Sequence, residues 1–433
     1  MARSGQESLA QGLPWVIPPP VLALKGPPGV ARVGSEPLHR IECAFLAPSG
    51  WSAVYANAMR IYLIAGESSG DTHGAVLMRE IARLTPDAQF FGAGGPQMKK
   101  IAQGEFIDWT QEAVVGLWDV VVKYPYFREK FYQMYREIRE LNPDAVIFVD
   151  YPGFNLRLAH YLRRKQFSGK LIYYISPQVW AWNRGRIPRM AAFLDLMICI
   201  FPFEKGLYEA SGLKTEFVGH PMIEELDKQR IHEPRVPNLV ALFPGSRSRE
   251  IKRIFPVMLE AAKLLRTKDA ALRFEASAAS ENACVFMQKL VTDSGFGDIR
   301  IGLKHSGELM QKASVGMVAS GTATLESSFY LLPFVLIYKV AWLTYFPGRL
   351  LIRVDHLGMP NILAGKEIIP EFIQHQALPV RIADSVWKLY SDPAQREAMV
   401  SDMARIIERL GGKGAGRRAA EVVVRELESA GKY

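Results

Sequence analysis

The sequence predicts an α/β protein: two doubly wound Rossmann-like domains in tandem, a cleft between them, and a helical C-terminal tail. Three observations carry this. From Met59 onward, short apolar runs alternate with amphipathic stretches of helical period. The runs are apolar throughout, as parallel strands covered on both faces must be. The alternation then restarts after a charged, proline-containing stretch. A chain of 433 residues is also too long for one ordinary core.

The first series places strands at 61–65, 145–149, 171–175, 196–200 and 216–218, with helices such as 127–141 and 155–165 between them. Residues 224–235, with Pro234 and Pro237, read as a linker. The second series places strands at 239–243, 272–276, 315–319 and 334–338, and a helix at 249–265. The last stretch is helical, with a break at Gly411-Gly412. The expected domains are therefore 59–230 and 231–382, followed by a tail at 383–433. Residues 1–58 differ from the rest. Pro18-Pro19-Pro20 and Pro27-Pro28 break any regular element, and neither hydrophobic period is present. The apolar stretch at 21–24 is too short for a signal-peptide core. The expectation is that Met59 is the native start and that 1–58 is a disordered or misassigned extension.

Composition is that of a globular protein, 49% hydrophobic and 22% charged, so a large core is available without disulfides. The three cysteines, Cys43, Cys199 and Cys284, are far apart and lack ligand spacing. That suits a reducing compartment. The net charge of +9 is scattered, and no nucleic-acid motif accompanies it. No D-x-D pair ends a strand and no His/Cys cluster has ligand spacing, so neither a metal nor a cofactor is implied.

Four loops follow predicted strands, and each also reads as an ordinary capped turn. In Ala65-Gly66-Glu67-Ser68-Ser69-Gly70-Asp71 the glycines allow a tight turn, and Ser68, Ser69 and Asp71 suit a helix start or a polar wall of the cleft. Its G-x-S-x-G spacing matches a hydrolase nucleophile elbow, with His73 nearby. That match is discounted, because an elbow follows several earlier strands and here only the extension precedes it. In the second loop Asp150 ends a buried strand, where an ionisable group is expensive unless used or paired. A general base, a partner for a sugar hydroxyl and a helix cap all fit. The third, Pro244-Gly245-Ser246-Arg247, turns a strand into a helix whose first N–H groups would face an anion, with Arg247 and Arg249 adding charge. The fourth, Ser320-Gly321-Thr322-Ala323-Thr324-Leu325-Glu326, repeats the arrangement and places Glu326 near the helix start, suited to ribose hydroxyls. Two anion-suited loops in one domain point to a nucleotide diphosphate.

Two stretches are richer in aromatics than a core needs: 116–127, followed by Phe131, Tyr132 and Tyr135, and 329–346, followed by Arg349 and Arg353. Beside Lys123, Arg128 and Lys130 they suit contact with an anionic membrane surface, although core packing explains any single residue equally well.

Taken together, the motifs from Met59 onward resemble the lipid-A-disaccharide synthase family, whose fold is the two-Rossmann-domain glycosyltransferase type called GT-B. The resemblance lies in the four loops above and in Ser176-Pro177-Gln178-Val179-Trp180-Ala181-Trp182, Phe201-Pro202-Phe203-Glu204, Val218-Gly219-His220-Pro221 and Pro360-Asn361-Ile362-Leu363-Ala364-Gly365. It implies an inverting transfer from UDP-2,3-diacylglucosamine to 2,3-diacylglucosamine 1-phosphate. The products would be a β-1,6-linked lipid A disaccharide 1-phosphate and UDP. It further implies Asp150 as base, and Arg247, Ser320, Gly321, Thr322, Glu326 and Asn361 around UDP. Glu67, Ser68, Ser69 and Asp71 would line the acceptor side. Where the family often carries a second Asp in D-x-P-D-F-N, this chain has Gly153, which leaves Asp150 as the only carboxylate of that loop. The implied location is the cytoplasm, peripheral on the inner face of the inner membrane, and a homodimer is compatible with the sequence. Rival readings are a sugar-nucleotide 2-epimerase of the same architecture and a non-catalytic, membrane-docking nucleotide-binding module.

Overall fold

The computed structural model describes residues 58–103, 106–109, 124–340 and 354–429. The N-terminal extension, most of the aromatic stretch 116–127, and Arg349 and Arg353 lie outside the described residues. The first sheet contains β1 (Arg60–Ala65), β2 (Gln89–Gly94), β3 (Phe106–Asp108), β4 (Ala145–Val149), β5 (Lys170–Tyr174), β6 (Leu196–Cys199) and β7 (Thr215–Phe217). The second contains β8 (Val236–Phe243), β9 (Arg273–Ala278), β10 (Ile299–Leu303), β11 (Ala313–Ala319), β12 (Phe334–Tyr338) and β13 (Glu371–Ile373). The strand orders are β3-β2-β1-β4-β5-β6-β7 and β10-β9-β8-β11-β12-β13. Every pairing is parallel.

The reason lies in the strand sequences. In β1, Ile61, Leu63 and Ala65 enter one core while Tyr62 and Ile64 enter the other. In β4, Ala145, Ile147 and Val149 take the first core, and Val146 and Phe148 the second. Both faces must be apolar for this, which is why the runs do not alternate. Four strands escape the sequence reading: β2, β3, β10 and β13. Each breaks the pattern, β2 through Gly92 and Gly94, β10 through Arg300 and Gly302, and β3 and β13 through their length of three residues.

In each sheet, strand order reverses once at the centre, between β1 and β4 and between β8 and β11. Loops leaving these neighbours diverge to opposite faces, which opens a crevice at the strand C-termini. The four candidate loops are the four that leave these strands.

The linker is fastened to the second sheet. Arg235 donates to the carbonyls of Met310 (2.8 Å), Gln311 (3.0 Å), Ala313 (2.6 Å) and Tyr330 (2.5 Å). Pro237 falls inside β8 but precedes Leu239, where pairing with β9 begins. The C-terminal helices do not form a separate tail. Helix Pro379–Ser391 packs on helix Ser248–Lys268 of the second domain. The last helix, Ala415–Glu428, returns to the first domain and lies along Ser68–Leu84. Gly416 permits that approach, since a Cβ there would stand 2.5 Å from Val76 Cγ1. Its far end is anchored by Glu426, 5% exposed, which accepts from Lys170 (2.8 Å) and Lys214 (2.6 Å). Glu426→Ala strands two lysines that keep partial contact with water, so the expected cost is about 1–2 kcal/mol rather than the full price of a buried pair. Urea unfolding measures it, and an unchanged midpoint would mean that the anchor contributes nothing.

Candidate active site

The first switch point is built around an unusual turn. Asp150 and Tyr151 both have left-handed backbones, with φ of 47° and 50°. Such a conformation strains residues other than glycine. It is held by the Asp150 carbonyl, which accepts from Tyr173 Oη (2.6 Å) and from Asn155 Nδ2 (2.7 Å). Asn155 is fully buried, and its amide also reaches the Val149 carbonyl at 3.3 Å. The Tyr151 ring then folds over Gly66, where a Cβ would stand 2.2 Å from it. The edge of Trp109 closes on Tyr151, while its indole N–H donates to the Ala65 carbonyl at 2.7 Å. The loops after β1 and β4 are thus locked together.

The lock leaves the Asp150 carboxyl half-buried at the strand end. Burial pushes it up to about 6, the negative charge of Glu67 adds to the rise, and the Tyr151 N–H opposes it. Glu67 stands just before helix Ser68–Leu84. Burial raises its carboxyl too, while the Arg247 guanidinium of the second domain pulls it down. Glu67, Asp150 and Arg247 therefore share one electrostatic field, and the two switch points face each other. Ser68 and Ser69 are exposed at the first turn of the helix.

Asp71 is different. Its carboxylate is buried and already accepts three backbone N–H groups, from Gly95 (3.0 Å), Gln97 (3.0 Å) and Met98 (2.9 Å). It anchors the helix Pro96–Lys99 and does not line the acceptor side, which corrects the sequence expectation. No hydrogen bond joins Asp71 to His73, so the hydrolase spacing has no triad behind it.

At the second switch point, Gly245 has φ of 101°, and a Cβ there would meet Glu250 Oε2 at 2.6 Å. Ser246 and Arg247 are exposed in the turn. Glu250 caps the helix Ser248–Lys268, accepting from the Arg247 N–H at 3.4 Å and pairing with its guanidinium at 3.6 Å. Sequence reading missed Glu250, although a Glu three residues into a helix after a glycine turn is the signal for such a cap. Across the crevice, Gly321 has φ of 152°, with nothing within 4 Å of where its Cβ would be. Ser320 is partly exposed, and Gly321 and Thr322 are exposed. Thr324 Oγ1 donates to the Gly321 carbonyl at 2.8 Å, which leaves the Thr322 side chain beside Glu326. Burial raises the Glu326 carboxyl and the Thr322 contact lowers it. The turns at Gly245 and Gly321 put open backbone at the starts of two helices, which suits an anion.

Asn361 does not reach this crevice with a free group. It is fully buried, its Nδ2 donates to Ile369 O and Glu371 Oε1 (both 2.8 Å), and its Oδ1 accepts from Ile368 N (2.8 Å) and Ile369 N (2.9 Å). The amide's bonds go to the loop before β13 and to Glu371 at the start of that strand, so Asn361 positions the loop and has no group left for a ligand. The Ser176–Trp182 and Phe201–Glu204 motifs are joined to each other by a buried hydrogen bond. Trp180 Nε1 donates to Glu204 at 2.9 Å, and burial pushes that carboxyl up to about 7 against hydrogen bonds from Trp180 and the Phe201 N–H.

A family model described as lipid-A-disaccharide synthetase matches residues 61–425. The chain belongs to the lipid-A-disaccharide synthetase family. The lipid-A-disaccharide synthase of Geobacter metallireducens is 38% identical over 376 residues, covering 85% of this chain and 97% of its own. That of Geobacter sulfurreducens is 39% identical over the same length and shares. As a member of the lipid-A-disaccharide synthetase family, the chain is a glycosyltransferase of lipid A biosynthesis. Solved structures agree in fold alone. A Staphylococcus aureus MnaA–UDP structure has a TM-score of 0.55 at 10% identity, covering 86% of this chain and 96% of that one. A UDP-GlcNAc 2-epimerase from Neisseria meningitidis, bound to UDP-GlcNAc, has a TM-score of 0.52 at 12% identity, covering 86% and 100%.

Asn155→Ala removes the donor that holds the strained carbonyl and is expected to cost about 1–3 kcal/mol by urea unfolding. A loss within experimental error would show that Tyr173 holds the turn without it.

Proposed function

We propose that the chain transfers 2,3-diacylglucosamine from UDP to the 6-hydroxyl of 2,3-diacylglucosamine 1-phosphate, with Asp150 as the base. In this reading the Asp150 carboxylate takes the hydroxyl proton as that oxygen attacks the anomeric carbon. The attack comes from the face opposite UDP, so the configuration inverts. The bond from the anomeric carbon to the β-phosphate oxygen breaks, and UDP leaves with the electron pair. Gly245, Ser246, Arg247, Ser320, Gly321 and Thr322 hold the diphosphate, whose growing charge meets Arg247 and the two helix starts. Glu326 accepts from the ribose hydroxyls. Glu67, Ser68 and Ser69 face the acceptor sugar.

The observation that carries the reading is the Asp150 carboxyl, held at a strand end in a pinned turn and raised to about 6. A base must be ionised at the working pH yet basic enough to accept a proton, and a raised carboxylate meets both needs. Acylated substrates also require a route to lipid, which supports a peripheral position on the anionic inner face of the inner membrane. Tyr124 and Tyr132 are exposed at 48% and 41%, with Arg128 over the Tyr132 ring and Lys130 over that of Tyr126. Among the described residues no helix is long and apolar enough to cross a membrane.

Asp150→Asn is expected to lower kcat by about 10²–10⁴ with little change in donor binding. In the unsubstituted enzyme kcat/KM should fall as pH drops below about 6, because protonation removes the base. The variant should lose that acid limb. An unaltered limb near pH 6 in Asp150→Asn would assign the base to another group.

A further inference from the structure

Beside the Asp150 loop the first domain holds a cavity of about 570 Å³ that the mechanism above does not use. It lies between helix Pro152–Arg164 and the segment that runs from the turn Arg184–Arg186 into helix Ile187–Ala191. The size is that of a small-molecule site. Leu156, Met190 and Phe193 give it apolar walls. The rest is basic: Arg157, Arg163, Arg164, Arg186 and Arg189, with His160. No carboxylate is among the described residues that line it. Pro152 and Gly153 are part of its lining, two and three residues after Asp150.

The arginines come from two separate elements and crowd one another. Burial holds both Arg157 and Arg186 below the usual guanidinium range. Like charge pushes the same way, Arg186 acting on Arg157 and Arg189 on Arg186. Arg163 has a carboxylate partner in Asp195, outside the cavity wall. Arg186 is held over the Trp182 ring at 5.0 Å, and Arg184 Nε donates to the Trp180 carbonyl at 3.0 Å. Trp182 of the Ser176–Trp182 motif therefore backs Arg186, which lines the cavity. Arg186 and Arg189 repel one another, and a multiply charged anion offsets that repulsion. Guanidinium forks match phosphate oxygens two at a time.

We propose that this groove binds the phosphate monoester of the acylated acceptor, with Arg186 and Arg189 on the phosphate and the Leu156–Met190–Phe193 wall along an acyl chain. The inference rests on the acceptor assigned above and adds the place where its phosphate is held. The geometry is consistent. The acceptor's 1-phosphate and the carbon bearing its 6-hydroxyl are attached to the two carbons that flank its ring oxygen, and the groove lining begins at Pro152, two residues after the base. The UDP phosphates are already provided for at Gly245 and Gly321, in the other domain.

The test compares binding and turnover of 2,3-diacylglucosamine 1-phosphate with those of its dephosphorylated counterpart in detergent micelles. The proteins are the unsubstituted chain, Arg186→Gln, Arg189→Gln and the double variant. Losing a charge-assisted hydrogen bond should raise Kd and KM for the phosphorylated acceptor about tenfold or more per substitution. Donor KM and kcat at saturating acceptor should stay within about twofold. The dephosphorylated acceptor should bind weakly and equally to all four proteins. If the variants weaken both acceptors alike, the arginines are structural and the proposal fails. If acceptor binding is unchanged while sedimentation with phosphatidylcholine vesicles containing phosphatidylglycerol is lost, the groove reads bilayer headgroups and the proposal also fails. Calorimetric binding needs no turnover. A chain that discriminates the phosphate yet forms no disaccharide would keep the groove and sink the transferase reading.

Discussion

The turn at Asp150 and Tyr151 is the constraint on which the site depends. Two successive left-handed residues cost about 1–3 kcal/mol each, so the surroundings must hold them. They do so with buried groups: the Asn155 amide, the Tyr173 hydroxyl, and a ring seat that exists because residue 66 has no side chain. Asn155 adds a cost of its own, since its Oδ1 is buried without a hydrogen-bond partner. The result is a carboxylate fixed at a strand end with no freedom to fold back into a helix cap. A looser turn would let Asp150 serve its own helix, as aspartates at such positions ordinarily do.

From that turn the electrostatics of the cleft follow. Glu67 raises Asp150, and Arg247 draws on Glu67. The three groups come from both domains, so charge arriving at the second switch point is felt at the first. Arg247 favours the ionised form of Glu67, and it is that charge which adds to the rise of Asp150. The last helix returns to the first domain and is fixed there by Glu426.

Much of this was legible in the sequence because the physics is local. A strand covered on both faces must be apolar throughout, and the central strands β1, β4, β8, β11 and β12 were found on that ground. Three of the four loops were found because a glycine followed by polar residues after such a run has few other uses, and the fourth because Asp150 puts an ionisable group at the end of a buried strand. What escaped depends on partners far along the chain. Gly92 makes β2 look broken, yet a Cβ there would stand 1.9 Å from the Leu63 carbonyl oxygen, so the glycine is what lets β2 lie beside β1. Asp71 and Asn361 were read as ligand groups because sequence cannot tell a carboxylate or amide that faces a cleft from one whose partners are backbone groups. The partners of Asp71 begin at Gly95, 24 residues away. Asn155 and Tyr173 were not singled out, since neither carries chemistry except through the carbonyl it holds.

The central claim is that the two switch points form one active site that joins two acylated sugars. Mass spectrometry of the products decides it most directly. Incubation of the purified chain with UDP-2,3-diacylglucosamine and 2,3-diacylglucosamine 1-phosphate should give a tetraacyl disaccharide 1-phosphate, with one UDP released for each disaccharide. Consumption of the sugar nucleotide without a disaccharide, whether by epimerisation or by hydrolysis, would contradict it.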